Sequence, residues 1–161
     1  MWAALREGGR VLLLSHRPPA RPGPPRNDCD ARRDLDPVTR TAARRLGEAL
    51  RAHGVGPLEV FSDGSCAGTL SASLAFGSAE SWDALRRLAS DRAERDRQMT
   101  ELGQRITGWS GPGTLVLLTY PANVRALTGI TPGDGDVVVL QPRRDGTFRV
   151  EWRLSLAGRG N

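Results

Sequence analysis

RVLLLSHR, residues 10–17, begins with an apolar run, RVLLLS at 10–15, and ends in polar side chains. A short run of this kind predicts a strand that is buried on both faces. A similar pattern occurs in LEVFS at 58–62 and in TLVLLT at 114–119. Residues 16–28, which follow the first run, are rich in proline. This stretch predicts a long loop, because proline is disfavoured in helix interiors and in central strands.

Helical signals separate these predicted strands. Asp36 and Pro37 predict a helix N-terminus, since Asp caps a helix and Pro suits its first position. We expect that helix to end near His53. The remaining predicted elements are helices over 66–76, 82–107 (one helix or two) and 121–127, and a hairpin of strands over 136–140 and 147–153. This order predicts an α/β fold in a single domain, residues 1–161, with three αβα layers, a mainly parallel sheet and a C-terminal hairpin.

The composition excludes several kinds of site. The chain has 23 basic residues, all of them arginine, and 18 acidic residues. Without lysine it cannot form a Schiff base or a Walker-type phosphate loop. Two histidines and two cysteines cannot supply a four-ligand zinc site within one chain. We therefore expect no metal and no cofactor.

The arginines do not indicate a nucleic-acid partner. Between residues 86 and 97 they alternate with acidic residues, which is typical of a solvated helix face. Codon bias in a GC-rich genome explains the absence of lysine. No segment reaches the length of a membrane span, and residues 1–7 do not resemble a signal peptide. We expect a cytoplasmic protein, or an exported one if a signal peptide has been removed. The oligomeric state stays open.

Polar clusters follow the three predicted strands directly: Ser15-His16-Arg17, Ser62-Asp63-Gly64-Ser65 and Thr119-Tyr120-Pro121. The carboxyl ends of parallel strands meet at one edge of a sheet, where open α/β folds place their ligands. Loop solvation and helix capping are sufficient explanations for the serines and Asp63. They explain His16 less well, since it ends a buried strand. We expect a small-molecule ligand in a cleft at this edge.

Several blocks resemble the histidine phosphatase superfamily, which has the phosphoglycerate-mutase-like fold. His16 resembles the histidine of the family's Arg-His-Gly/Ala motif, and residues 62–76 resemble its Ser-Ser-x-x-x-Arg-Ala-x-x-Thr-Ala block. Residues 29–50, 117–129 and 134–140 resemble further family blocks in the same order. The resemblance covers roughly residues 10–154. It implies that the first-strand histidine takes a phosphoryl group, which arginines and a second histidine bind.

The sequence departs from that pattern around the phosphate. Ser15 replaces the arginine before His16, Arg17 replaces the small residue after it, Ala67 replaces the second arginine and Tyr120 replaces the second histidine. Losing one preorganised donor can reduce a rate by about 10²–10³. We therefore do not expect ordinary phosphoryl transfer.

His16 as base and Tyr120 as its partner are the predicted catalytic pair. The resemblance also implies an acidic proton donor, for which Glu80 and Asp83 are candidates, although a helix N-terminus favours acids in any case. The predicted substrate-binding residues are Ser15, Arg17, Ser62, Ser65 and Asn123. Three functions stay open: a repurposed acid–base enzyme of specialised metabolism, an inactive pseudophosphatase that acts as a binding or regulatory module, and a residual phosphomonoesterase.

Cys29 and Cys66 also admit two interpretations. Related sequences with cysteines in these blocks resemble exported enzymes, in which a disulfide would form. In a reducing cytosol both would be free thiols, and this is the state that we expect.

Overall fold

The structure, a computed structural model, describes residues 1–17 and 28–156. Its six strands form one sheet in the order β3-β2-β4-β1-β5-β6. They are β1 (Arg10–Ser15), β2 (Leu58–Ser62), β3 (Glu80–Ser81), β4 (Thr114–Thr119), β5 (Asp136–Pro142) and β6 (Phe148–Ser155). The first four pair in parallel, whereas β5 runs antiparallel to both β1 and β6. The predicted mainly parallel sheet with a C-terminal hairpin is confirmed. Most of the predicted proline-rich loop lies outside the described residues.

The helices are α1 (Trp2–Glu7), α2 (Ala31–Asp34), α3 (Pro37–Ala52), α4 (Cys66–Phe76), α5 (Arg92–Thr107) and α6 (Pro121–Thr128). The predicted start of α3 is confirmed, because the Asp36 carboxylate accepts hydrogen bonds from the amides of Val38 and Thr39, both at 3.0 Å. In the described part of the chain, no helix is long and apolar enough to cross a membrane.

The expected helix over 82–107 is wrong in its first third. Residues 83–85 form a single 3-10 turn that buries Ala84 and Leu85 against the sheet. The α5 helix begins only at Arg92, where the Asp91 side chain caps it by accepting from the amide of Glu94 at 3.0 Å. Burial of the two apolar side chains therefore overrides the helical charge pattern.

The core lies on both faces of the sheet. On one face, Leu12 and Leu14 of β1 pack with Leu46 and Leu50 of α3. On the other, Leu13 packs with side chains of α5 and α6. Both faces of β1 and β4 are closed to solvent, as their continuous apolar runs predict. Helices on both faces give the three predicted layers.

The strand order brings three chain segments to one edge of the sheet. Strand β4 lies between β1 and β2, and Ser15 is in register with Thr119. The amide of His16 continues the ladder by donating to the Thr119 carbonyl at 2.9 Å. As a result, the residues that follow β1, β2 and β4 share one site.

A disulfide closes the same edge. Cys29 is bonded to Cys66, the first residue of α4, with the two Cα atoms 5.3 Å apart. The expectation of free thiols is therefore wrong. The fold places the segment before α2 against the start of α4, within the Cα separation that a disulfide requires.

Candidate functional site

His16 is an enclosed imidazole at the carboxyl end of β1. It has no solvent exposure, and its Nε2 lies 3.4 Å from Asp63 Oδ1. The Tyr120 ring packs edge-on against it, with the ring centroids 4.6 Å apart. Among the described residues, neither ring nitrogen has a partner in good hydrogen-bond geometry. Such unsatisfied buried polar atoms are uncommon, and they point to a functional role or a bound group.

Asp63 is the acidic partner of this histidine. It is only 5% exposed, and the Ser65 hydroxyl donates to its Oδ1 at 2.7 Å. Burial by itself would raise the pKa of Asp63. His16 outweighs that effect, with help from the hydroxyls of Ser65 and Tyr120, and the pKa falls from 3.8 to about 2. The carboxylate is therefore ionised throughout the physiological pH range.

Tyr120 supplies a neutral donor beside that carboxylate. Burial raises the pKa of its hydroxyl, and the Asp63 carboxylate raises it further. The guanidinium of Arg87 lies over the Tyr120 ring, 5.1 Å from the centroid. The phenol therefore stays protonated at neutral pH and can donate a hydrogen bond or a proton.

A cleft of about 410 Å³ opens over these groups. Its volume falls within the usual range for small-molecule sites. Its lining residues are Asp63, Gly64, Ser65, Arg86, Arg87 and Tyr120. Within the described residues, no group of three or more His, Cys, Asp and Glu side chains is placed to hold a metal ion.

The predicted binding residues differ in where they lie. Ser65 lines the cleft, whereas Ser15 and Ser62 are buried and are not among its lining residues. The Ser62 hydroxyl accepts from the Gly64 amide at 3.3 Å and so shapes the loop. Arg17 is not among the cleft-lining residues, because its Nε pairs with Asp134 Oδ1 at 2.7 Å on the surface.

Asn123 lies behind the cleft and is not among its lining residues. It is fully buried, and its Nδ2 donates to Thr119 Oγ1 and to the Arg86 carbonyl, both at 2.7 Å. These bonds fix the segment that carries Arg86 and Arg87 over the end of β4. The Asn123 Oδ1 is buried without a hydrogen-bond partner among the described residues, and direct substrate binding by Asn123 stays a prediction.

The two predicted acids lie outside the cleft. Glu80 is exposed on β3, the short edge strand, and Asp83 pairs with Arg86 at 3.1 Å in solvent. The 3-10 turn explains the position of Asp83, because it directs Ala84 and Leu85 inward. The acid that the site does contain is Asp63, for which loop solvation and helix capping are sufficient explanations in the sequence. Its position directly after β2 is the signal that could have identified it.

Gly68 of α4 makes room for the Asp63 carboxylate. A Cβ atom at this position would overlap Asp63 Oδ1 and would lie 3.4 Å from His16 Nε2. Alanine usually stabilises a helix relative to glycine by about 1 kcal/mol. Here we expect Gly68→Ala to lower the free energy of unfolding by roughly 2 kcal/mol, because the buried carboxylate must move. Urea denaturation measures this change.

The Asp63→Ser background is the matched control for this substitution. With the carboxylate removed, the closest remaining contacts of the new methyl group are 3.3 Å or more, and Gly68→Ala should cost much less. An equal loss of stability in both backgrounds would show that Gly68 does not accommodate Asp63.

Comparisons with known proteins identify the fold. No protein-family model matches the chain, and no curated protein sequence does either. Among solved structures, it is similar to the protein histidine phosphatase SixA complexed with tungstate, at 17% identity and a TM-score of 0.62, covering 91% of this chain and 97% of that one.

Two further solved structures agree with that similarity. A protein from an open reading frame of Mycobacterium tuberculosis matches at 12% identity and a TM-score of 0.70, covering 92% of this chain and 98% of that one. A putative phosphohistidine phosphatase SixA from Agrobacterium tumefaciens matches at 18% identity and a TM-score of 0.57, covering 91% and 98%. The chain therefore has the phosphoglycerate-mutase-like fold of the histidine phosphatases.

Proposed function

On this histidine phosphatase fold, we propose a repurposed acid–base enzyme that acts on a small molecule through His16, Asp63 and Tyr120. The observation that carries the proposal is the Asp63 carboxylate, which faces His16 Nε2 at 3.4 Å. It places a fixed negative charge beside the histidine that would otherwise receive a phosphoryl group.

That carboxylate disfavours a phosphate ester for two reasons. It occupies the space through which a phosphorus atom would approach Nε2, and it repels the phosphoryl oxygens. Two like unit charges about 4 Å apart repel by roughly 4 kcal/mol at an effective dielectric constant of 20. Arg17, the cation next in sequence to His16, is paired with Asp134 instead.

The same groups suit proton transfer. Asp63 lines the cleft and faces His16 Nε2, so its carboxylate can relay a proton from a C–H or O–H group of the substrate to the imidazole, which would hold it. Tyr120, on the same cleft, can donate its proton to a substrate oxygen and later recover one. Isomerisation, elimination and cyclisation each need only such a paired base and acid.

One observation favours a second candidate, an inactive pseudophosphatase that binds a ligand. His16 has no solvent exposure, so a substrate reaches it only through Asp63 and Tyr120. If those two groups never exchange protons with the ligand, the cleft is a binding site alone.

Proton exchange with solvent tests the proposal. A library of small metabolites is incubated in D₂O with the protein, and deuterium at C–H positions is read by mass spectrometry. We expect at least one compound to gain deuterium with the wild type and not with His16→Gln. We also expect no saturable binding of tungstate up to about 5 mM by calorimetry, and no hydrolysis of p-nitrophenyl phosphate above the buffer rate.

The other outcomes identify the alternatives. Hydrolysis that is lost in His16→Gln would indicate a residual phosphomonoesterase. Neither exchange nor hydrolysis, in a protein that still binds a small ligand in the cleft, would indicate a pseudophosphatase.

A further inference from the structure

We propose that the ligand of this cleft is a small organic carboxylate with a hydroxyl or ammonium group nearby. The carboxylate would meet Arg87 and Arg86, and the second group would donate to Asp63. This inference rests on the proposed function in that it assigns the ligand of the same site. It follows from the opposite charges at the two ends of the cleft.

The exposed end of the cleft is cationic. Both Arg86 and Arg87 line it, and both are exposed. Arg86 has a partner in Asp83, but that pair is largely solvated, with the two side chains 66% and 79% exposed. Arg87 has no carboxylate partner within residues 1–17 and 28–156, and its guanidinium lies over the Tyr120 ring. It is therefore available to bind an anion.

The buried end of the cleft is anionic. There the Asp63 carboxylate receives the Ser65 hydroxyl at 2.7 Å, and Tyr120 lies beside it. An ionised carboxylate accepts hydrogen bonds and cannot donate them. A complementary ligand must therefore present a donor, either hydroxyl or ammonium, to this end.

The segment that carries the arginines is held in place before any ligand arrives. Asn123 donates to the Arg86 carbonyl at 2.7 Å, and Gln98 donates to the carbonyls of Ala84 and Arg86 at 3.0 and 2.8 Å. Little ordering of this backbone would then be needed on binding, which favours affinity.

A carboxylate suits this cleft better than a phosphate does. Its planar oxygens match the fork of a guanidinium. It carries one negative charge, whereas a phosphate monoester near neutral pH carries about two, so it is repelled less by Asp63 in the same cleft.

A matched series of four probes tests the inference by NMR titration of the full chain. The probes are 3-phenyllactate, phenylalanine, phenethylamine and phenyl phosphate, which share a ring and differ in their charged groups. We expect saturable binding of the first two in the millimolar range, with phenethylamine and phenyl phosphate weaker. Arg87→Gln should weaken 3-phenyllactate about fivefold, the usual scale for an exposed ion pair.

Arg144→Gln in the exposed hairpin turn is the control, and it should leave the affinity unchanged. The inference is overturned if phenethylamine or phenyl phosphate binds as well as the carboxylates. It is also overturned if Arg144→Gln weakens binding as much as Arg87→Gln, or if neither carboxylate saturates by about 20 mM.

The two proposals can fail separately. Binding that depends on Arg87, without deuterium exchange in any compound, would refute the acid–base function and keep the ligand class. Deuterium exchange that is unaffected by Arg87→Gln would keep the acid–base function and refute the ligand class.

Discussion

Asp63→Asn is expected to slow the proposed proton exchange roughly a thousandfold, within the range that a positioned acid or base contributes. Asparagine is nearly isosteric with aspartate, and its amide oxygen can still accept from Ser65, so the fold should persist. What it loses is the negative charge and the ability to take up a proton. The measurement is the initial rate of deuterium incorporation into the compound that the wild type exchanges.

Two further variants, at His16 and at both positions, test this prediction. His16→Gln should reduce the rate by a similar factor, and the double variant Asp63→Asn/His16→Gln should be little slower than either single one, because groups that act as a unit are not additive. The control is Asp96→Asn on the exposed face of α5, which should exchange at the wild-type rate. Multiplied losses in the double variant would contradict a shared role.

The sheet could be predicted because the local sequence determines where its main strands lie. Continuous apolar runs at 10–15 and 114–119 have no polar face, so they predict strands covered on both sides. The start of α3 could also be predicted locally, since Asp36 caps the helix and Pro37 occupies its first position. Each feature depends on residues adjacent in the chain.

Elements that depend on tertiary contacts could not be predicted. Strand β3 has two residues and exists by pairing with the end of β2. The 3-10 turn at 83–85 interrupts a sequence with helical charge spacing because Leu85 is buried in the core. Helices α1 and α2 are too short to show a hydrophobic period of their own.

The candidate site likewise contains residues that could be predicted from the sequence and one that could not. His16 and Tyr120 could be placed together from the rule that parallel strands gather their carboxyl ends. Loop solvation and helix capping are sufficient explanations in the sequence for Ser62, Asp63 and Ser65 alike. In the structure the Ser65 hydroxyl caps α4 by accepting from the Gly68 amide at 3.1 Å. Only the positions of Gly68 and His16 in space show that the Asp63 carboxylate belongs to the site.

The pairing of Cys29 with Cys66 also depends on three-dimensional proximity. The two residues are 37 positions apart, and that spacing by itself is compatible with free thiols. The contact between the segment before α2 and the first turn of α4 decides the outcome.

Removing that disulfide is expected to lower the free energy of unfolding by about 3 kcal/mol. A cross-link over 37 residues restricts the unfolded chain, and the loop-entropy relation gives roughly 4 kcal/mol for that length. Residual structure in the unfolded state reduces this value. The measurement is urea denaturation of the wild type and of Cys29→Ser/Cys66→Ser, which retains both side-chain volumes closely.

Reductant provides the control for this prediction. Reductant should lower the free energy of unfolding of the wild type to that of the double variant, and it should leave the free energy of the double variant unchanged. Because Cys66 directly follows Ser65, and Ser65 donates to Asp63, loss of the cross-link should also loosen the start of α4 and weaken 3-phenyllactate binding. A double variant as stable as the oxidised wild type would show that packing between α2 and α4 holds this edge without the disulfide.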